Sequence, residues 1–414
     1  MAPLQQYLSL TRNHARFLAF GFLMAFTSSA GQTYFIGIFG PDIREVFELN
    51  HTQWGSIYLI GTLCSALVLP WSGQLIDRID LRRFAAIVVI GLSMACLTIS
   101  LTSSVVMLTV AIFLLRHFGQ GLTSHTSITS MARYMEGNRG KAIAIASMGY
   151  STGEALLPVI AVGAILLLGW RSTYMVTALC VLGLVPILLW TLRGHGDRHQ
   201  KFTDQQTKDS GDKETVVSKT RKQMLREPRF YLLLPAILAP SYIGTGLFFH
   251  HLTLADAKGW SAIWVTGNYW LYALCTIVTS LMAGPIIDRF TAARVLPYYL
   301  VPLILALMLL IPAEDSIWVL PYMILIGINT GIHFTGVSAL WAEIYGTRHL
   351  GGIKSTVGAI GVFASALGPV SIGIILDMGY TFNAVCIYFS IFSVISTGLL
   401  LKGLKHYSVG SNIK

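Results

Sequence analysis

Residues 73–83 read GQLIDRIDLRR, and residues 284–294 read GPIIDRFTAAR. Gly73, Asp77, Arg78 and Arg83 of the first stretch recur as Gly284, Asp288, Arg289 and Arg294 of the second, each pair 211 positions apart. The same offset carries Gly140 onto Gly351 and Pro158 onto Pro369. Six landmarks in a single register mark an internal duplication. The chain is two copies of one plan, and each copy has a charged loop at the same place.

The stretches between the charged loops are apolar. Of 414 residues, 54% are hydrophobic and 12% charged, with a mean hydropathy of +0.64. A soluble domain carries about 25% charged residues, so this chain has too few charges to solvate a globular surface. A helical membrane crossing takes about 20 apolar residues. Such runs occur at 16–40, 52–76, 84–103, 105–133, 142–168 and 172–192, then at 230–256, 262–287, 295–312, 317–342, 353–377 and 381–402. All are expected to be helices, because a segment facing lipid must satisfy its backbone hydrogen bonds internally. The first run follows Arg12 and Arg16 but is too long for a signal-peptide core and ends without a small-residue cleavage site, so it counts as the first helix. The expectation is an all-α membrane protein with twelve transmembrane helices in two six-helix pseudo-repeats. Its parts are an N-terminal bundle over 1–192, a cytoplasmic linker over 193–229, and a C-terminal bundle over 230–414 with a short cytoplasmic tail.

A net charge of +10 would suit nucleic-acid binding in a soluble protein. Here the distribution of charge removes that reading. With both termini inside, Arg44, Arg171 and Lys258 lie outside and Arg116 lies within a span, while the rest of the 29 Lys and Arg fall on the cytoplasmic side. This is the positive-inside bias, and it orients the chain in a cell inner membrane. The five cysteines fall within spans without metal-ligand spacing and read as small apolar packing residues. The linker is charged and lacks apolar periodicity, although Lys219–Arg226 could form a short basic helix at the membrane surface.

The loop from Gly73 to Arg83 resembles the signature between the second and third helices of the major facilitator superfamily. That resemblance implies a gating role: Asp77 docks on the start of the eleventh helix, where the dipole favours negative charge, with Arg78, Arg82 and Arg83 as its partners. Asp80 stands where the family usually has Gly. Gly284, Asp288 and Arg289 form the corresponding loop of the second half. The fourth span carries RHFGQG over Arg116–Gly121, similar to the family's Arg-x-x-Gln-Gly but with Gly119 in the Gln position. In the fifth span, Gly149–Pro158, Glu154 stands where the antiporter branch has Pro, which weighs against a drug-efflux antiporter. The layout loosely resembles monocarboxylate and oxalate-formate porters, without a first-helix signature. Parallel repeats around a midplane site are a recurrent transporter plan.

Charges within a bilayer are costly and are functional suspects by default. Two occur deep in spans, Arg116 and Glu154. Counting from the span ends at 1.5 Å per residue puts Arg116 roughly 17 Å from the outer end and Glu154 roughly 18 Å from the inner end. Both therefore sit near the middle of a ~30 Å hydrocarbon layer. Either Arg116 binds a substrate carboxylate while Glu154 carries a coupling proton, or the two form a structural ion pair. In the superfamily the first, fourth, seventh and tenth helices line the central cavity, which marks Gln32, Tyr34, His125, His250, Asn329 and His333 as candidate substrate contacts. Each is equally well a helix–helix hydrogen bond. His250 and His251 are adjacent, so at most one points squarely inward. Trp260, Trp264, Tyr269 and Trp270 cluster near the outer interface and read as aromatic-belt anchors.

No catalytic constellation or nucleotide-binding loop appears, so neither an enzyme nor an ATP-driven pump is expected, and no cofactor or metal is called for. The expected function is secondary active transport of a small organic solute by alternating access. The chain would be a symporter coupled to protons or another ion, acting as a monomer in the bilayer, with an organic anion as the favoured cargo and the direction of transport open. The alternatives are an exporter of drug-like compounds or of a metabolite such as a siderophore, and a transporter-like solute sensor. Flux in proteoliposomes separates the sensor from the rest.

Overall fold

Backbone groups facing hydrocarbon find partners only within their own helix. The computed structural model accordingly contains helices and no strands among the residues it describes, which are 2–135, 138–196, 219–346 and 349–408. The middle of the linker lies outside the described residues. The helices are α1 (Ala2–Thr27), α2 (His51–Gly73), α3 (Leu81–Ser100), α4 (Val105–Tyr134), α5 (Arg139–Leu168), α6 (Trp170–Thr191), α7 (Pro228–Phe249), α8 (Ala262–Phe290), α9 (Ala292–Leu310), α10 (Ser316–Tyr345), α11 (Leu350–Asp377) and α12 (Phe382–Ser408). Eleven of these, α2 to α12, are long and apolar enough to cross a membrane. The first span supplies the twelfth crossing.

Two of the spans are broken. The backbone of α1 leaves helical geometry at His14 (φ −129°, ψ 26°), just before the first apolar run begins. Past Thr27 that run does not continue as one helix. A tight turn over Ser28–Gly31 leads to extended Gln32 (φ −85°, ψ 153°), followed by the short segments Thr33–Ile36, Gly37–Phe39 and Gly40–Val46. The unbroken helix expected over 16–40 is therefore interrupted in its C-terminal half. In the second half, α7 ends at His250 (φ −105°, ψ 19°) before a further turn of helix, His251–Ala257. In the register of 211, His250 matches Phe39, which ends the 3-10 turn Gly37–Phe39, so both halves depart from regular α-helix there. The break around Gly31 has no counterpart, since α7 runs straight through the matching residues.

Contacts group the chain into two compact units, Met1–Asp42 with Ile60–Lys213 and Ile43–Leu59 with Glu214–Lys414. Within the first, α1 packs along α5 and α3 along α6. Within the second, α7 packs along α11 and α9 along α12, so the repeat recurs as equivalent helix pairs. Small residues let the paired backbones touch: a Cβ on Gly149 would meet the Phe22 carbonyl oxygen at 2.0 Å, and one on Gly368 would meet that of Tyr242 at 2.1 Å.

The start of α2 belongs to the second unit although its sequence lies in the first half. The first N–H groups of a helix lack intrahelical acceptors. At α2 they are met by Asp377 from the end of α11, whose carboxylate accepts from the His51 N–H at 3.1 Å and the Thr52 N–H at 2.7 Å. Gly373, one turn earlier on α11, lies so close to His51 and Thr52 that a Cβ would sit 2.7 Å from their backbone. Trp54 and Tyr58 place their rings 5.2 and 4.7 Å from Phe249, and the His51 ring lies 5.7 Å from His250.

The three basic residues assigned to the outer side are all turned onto backbone carbonyls. Arg44 Nε donates to Leu49 O at 3.3 Å. Arg171 Nη1 donates to Ser100 O and Thr102 O at 3.0 and 2.7 Å, at the end of α3. Lys258 Nζ donates to Ile311 O at 3.1 Å, at the end of α9, and to Asn383 Oδ1 at 3.0 Å. Cations at helix C-termini satisfy orphan carbonyls and complement the dipole. The tryptophans expected as belt anchors do similar work: Trp260 Nε1 donates to Glu314 O and Trp264 Nε1 to Ser316 O, holding the loop before α10.

Removing a helix cap costs about 0.5–2 kcal/mol. Asp377→Ala is therefore expected to lower the thermal midpoint of the purified protein, while Asp377→Asn, which keeps an acceptor oxygen, loses less. An Asp377→Ala midpoint equal to that of the parent would show that the cap contributes nothing.

Candidate functional site

The break in the first span is where the polar side chains of the first unit gather. Glycine at position 31 allows it: a Cβ there would meet Leu115 O at 2.1 Å and Gly119 Cα at 2.7 Å, so the turn rests directly on the backbone of α4. On the α4 side the contact falls within Leu115–Thr123, which is wound as a π-helix. Such wider turns are rare and frequently occur at functional sites. Gly119 thus serves packing, with its backbone against Gly31.

The turn frees the Gly31 carbonyl from its helix, and Arg116 takes it. Arg116 Nη1 donates to Gly31 O at 3.0 Å and reaches Thr33 Oγ1 at 3.5 Å, and Nε donates to Thr62 Oγ1 of α2 at 3.2 Å. The guanidinium, 1% exposed, thus ties three segments together. Beside it, Gln32 Nε2 donates to Ser28 Oγ at 3.4 Å and to Ser124 Oγ at 3.5 Å. Tyr34 OH donates to Ser29 Oγ at 2.8 Å and packs edge-on to Tyr150 of α5 at 5.7 Å.

Glu154 lies on the same helix as Tyr150, one turn away, and is 5% exposed. Its neighbour Gly153 abuts Ser29, where a Cβ would meet Oγ at 2.0 Å, so this part of α5 lies against the broken turn. Among the described residues Glu154 has neither a hydrogen-bond nor an ion-pair partner, and no ion pair joins it to Arg116. The guanidinium is held by backbone and hydroxyl oxygens instead.

The other candidates are dispersed. His125 sits on the inner part of α4 with its ring 3.5 Å from where a Cβ on Gly73 would stand, and Thr129 Oγ1 lies 3.4 Å from its Nδ1. It therefore supports the charged loop. In the second unit His250 Nε2 donates to Pro369 O at 3.0 Å, linking the broken end of α7 to α11. His251 is buried between two tyrosines, with Nδ1 2.7 Å from Tyr269 OH and Nε2 2.7 Å from Tyr322 OH. A neutral imidazole offers one donor and one acceptor, so one phenol accepts and the other donates. Asn329 Nδ2 donates to Tyr299 O at 2.7 Å, and His333 stacks on Tyr299 at 6.2 Å with a buried, unpartnered Nδ1.

In the charged loop, Asp77 forms an ion pair with Arg133 at the end of α4, and Arg133 Nη1 also donates to Ile76 O at 3.3 Å. Asp80 caps α3 by accepting from Arg82 N at 3.0 Å, which gives its departure from Gly a local use. Arg82 Nε donates to Leu192 O at 3.1 Å, while Arg78 and Arg83 are exposed. The equivalent loop of the second unit is built differently. Gly284 faces open space, Asp288 is exposed and Arg289 lies over Phe290 at 5.2 Å. There Glu343 of α10 accepts from the N–H groups of Ala292 and Ala293 at 2.6 and 3.1 Å, capping α9.

The sequence of this chain matches the major facilitator superfamily over residues 21–369 and again over 269–411. The chain belongs to the major facilitator superfamily. It is thus a multi-pass membrane transporter of a small molecule rather than an enzyme, which bears out the resemblance read from the loops. No curated protein sequence matches it. Among solved structures it resembles a bacterial homologue of the human lysosomal transporter Spinster, crystallised inward-facing and unoccupied, with a TM-score of 0.69 at 15% identity over 96% of this chain and 98% of that one. The nucleoside transporter NupG is similar to the same degree, with a TM-score of 0.70 at 12% identity over 94% of this chain and 99% of that one. At these identities the likeness is one of fold.

Within this superfamily member, Arg116, Gln32, Tyr34 and Glu154 come together on the first unit, where His125 lies instead beside the charged loop, while His250, Asn329 and His333 belong to the second unit. Sequence reading missed Thr62, Ser28, Ser29, Tyr150 and Arg133. Thr62 and the two serines are small polar residues in apolar runs, a signal too common to single them out. Arg133 closes the fourth span and was counted only as an inside charge. Lysine cannot bridge Thr62 and Gly31 O with a planar fork. Arg116→Lys is therefore expected to lose transport while remaining in the membrane, and Gly31→Ala to destabilise the fold by about 1–3 kcal/mol through overpacking. Flux and thermal unfolding of the two variants check this, and parental flux in Arg116→Lys would remove the fork from the account.

Proposed function

We propose that this chain is a proton-coupled secondary active transporter of a small organic solute, with Glu154 as the coupling carboxylate. The observation behind this is the burial of Glu154 without a partner beside the broken first span. An ionised carboxylate in a hydrocarbon-like interior is strongly disfavoured unless paired. Proton uptake lets such a group stay buried, and proton release goes with exposure to water or to a bound cation. A group that alternates between these states as a site opens and closes links proton movement to solute movement.

Arg116 supplies the positive charge next to this turn, and guanidinium stays charged at any physiological pH. That favours an organic anion as cargo, drawn toward the polar cluster of Gln32, Thr33 and Tyr34. The duplicated plan supports alternating access by rocking of repeated bundles around a midplane site. The positive-inside bias supports an inner-membrane location with both termini cytoplasmic. The protein is proposed to work as a monomer and as a symporter.

The test is reconstitution in proteoliposomes, with a panel of small carboxylates tried by counterflow and then under an imposed pH gradient. Glu154→Gln is expected to retain counterflow, which needs no net driving force, and to lose proton-driven accumulation. Accumulation equal to that of the parent would remove Glu154 from the coupling.

A further inference from the structure

Just before α7 the chain forms one short helix, Arg221–Arg226, and anchors it unusually well. Thr220 and Gln223 close a reciprocal capping box, with Gln223 Oε1 accepting from Thr220 N at 2.8 Å. Lys219 N donates to Tyr345 O at 2.9 Å, the end of α10, and Lys219 pairs with Glu227. Tyr231 OH donates to Leu225 O at 2.9 Å, and Met224 is fully buried. The helix is therefore fixed to the second unit on one side. On the other side it exposes Arg221, Lys222 and Arg226. Glu227 is the one acid in residues 219–230, and it is already engaged by Lys219.

Next to Arg221 lies a cavity of about 320 Å³ lined by Thr220, Arg221, His349, Gly351 and Gly352. The two glycines leave it open, since a Cβ on either would meet nothing within 4 Å. The apolar span of α7 begins at Pro228, two residues beyond the helix, and a chain that enters hydrocarbon there carries the preceding residues at headgroup level.

We propose that this basic helix and the adjoining cavity bind the headgroup of an anionic membrane lipid. Charge complementarity and depth carry the assignment. Three cations are held at the membrane surface with no free acid among the described residues 219–230, beside a cavity with room for a phosphate and its substituents. A solvent-facing loop has no need of a capping box, a buried methionine and backbone ties to α10 to display three charges. Each cation held near an anionic leaflet is worth roughly a fivefold gain in binding, so losing three costs well over tenfold. The proposal is independent of which solute the protein carries and of Glu154.

The test uses the full chain, purified in a neutral detergent. Added phosphatidylglycerol is expected to raise the thermal midpoint and to remain bound in native mass spectra, whereas phosphatidylcholine and inorganic phosphate do neither. In the triple variant Arg221→Gln, Lys222→Gln, Arg226→Gln the midpoint shift should vanish and lipid retention fall at least tenfold. A control lacking Arg12, Lys402 and Lys405, exposed cations elsewhere on the inner side, should respond like the parent. The proposal is overturned if the triple variant binds phosphatidylglycerol as the parent does, if the control loses binding equally, or if inorganic phosphate alone reproduces the shift.

Discussion

A carbonyl or N–H released where a helix breaks or ends needs a new partner, and this constraint accounts for the polar contacts at the break in the first span and at the termini of α2, α3 and α9. Where the first span breaks at Gly31, Arg116 supplies the donor. Where α2 starts, Asp377 supplies the acceptors. Where α3 and α9 end, Arg171 and Lys258 supply the cations. Leaving such a group unsatisfied costs several kcal/mol in a membrane. An irregular backbone is therefore affordable only where a side chain of the right kind is already in place.

The duplication provides an internal control. In the register of 211, Arg116 corresponds to Gly327 and Glu154 to Ser365. Gly327 packs so tightly on α8 that a Cβ would meet Tyr272 O at 2.7 Å, and Ser365 Oγ donates back to Val362 O of its own helix at 2.8 Å. The matching stretch of α7 is unbroken. At the positions where the first half places a charge and an open turn, the second has a closed helix–helix contact and a self-satisfied hydroxyl. The copies share their helix pairs and differ in the chemistry placed on them.

Twelve spans and a repeat could be read from the sequence because they rest on apolar content and on landmarks recurring at one offset, which are sums over many residues. The proximity of Gln32, Tyr34, Arg116 and Glu154 to one another was half legible. Counting residues from the helix ends put Arg116 and Glu154 at one depth, but depth does not give azimuth, and the ion pair considered for them does not form. The Gly31 break was hidden because it depends on a tertiary contact with Gly119, whereas Gly in an apolar run ordinarily signals only close packing. Likewise Asp77 carries the expected charge, but its partner Arg133 comes from 56 residues away and no local pattern announces it. The departure of α7 from helical geometry at His250 also has no local pattern that announces it.

The boundary between the compact units passes through the middle of a continuous helix, since α2 enters the second unit at its start and the first unit from Ile60 onward. The linker over 193–229 is therefore not the sole link between the two halves of the sequence, since residues 43–59 of the first lie in the second unit. A chain nicked within that linker would stay joined, because the fragment ending there carries its own docking peg, residues 43–59, seated by Asp377, Gly373 and Phe249. For a protein made as two separate pieces, that peg is the part by which the halves would find each other, and it would set how faithfully they reassemble.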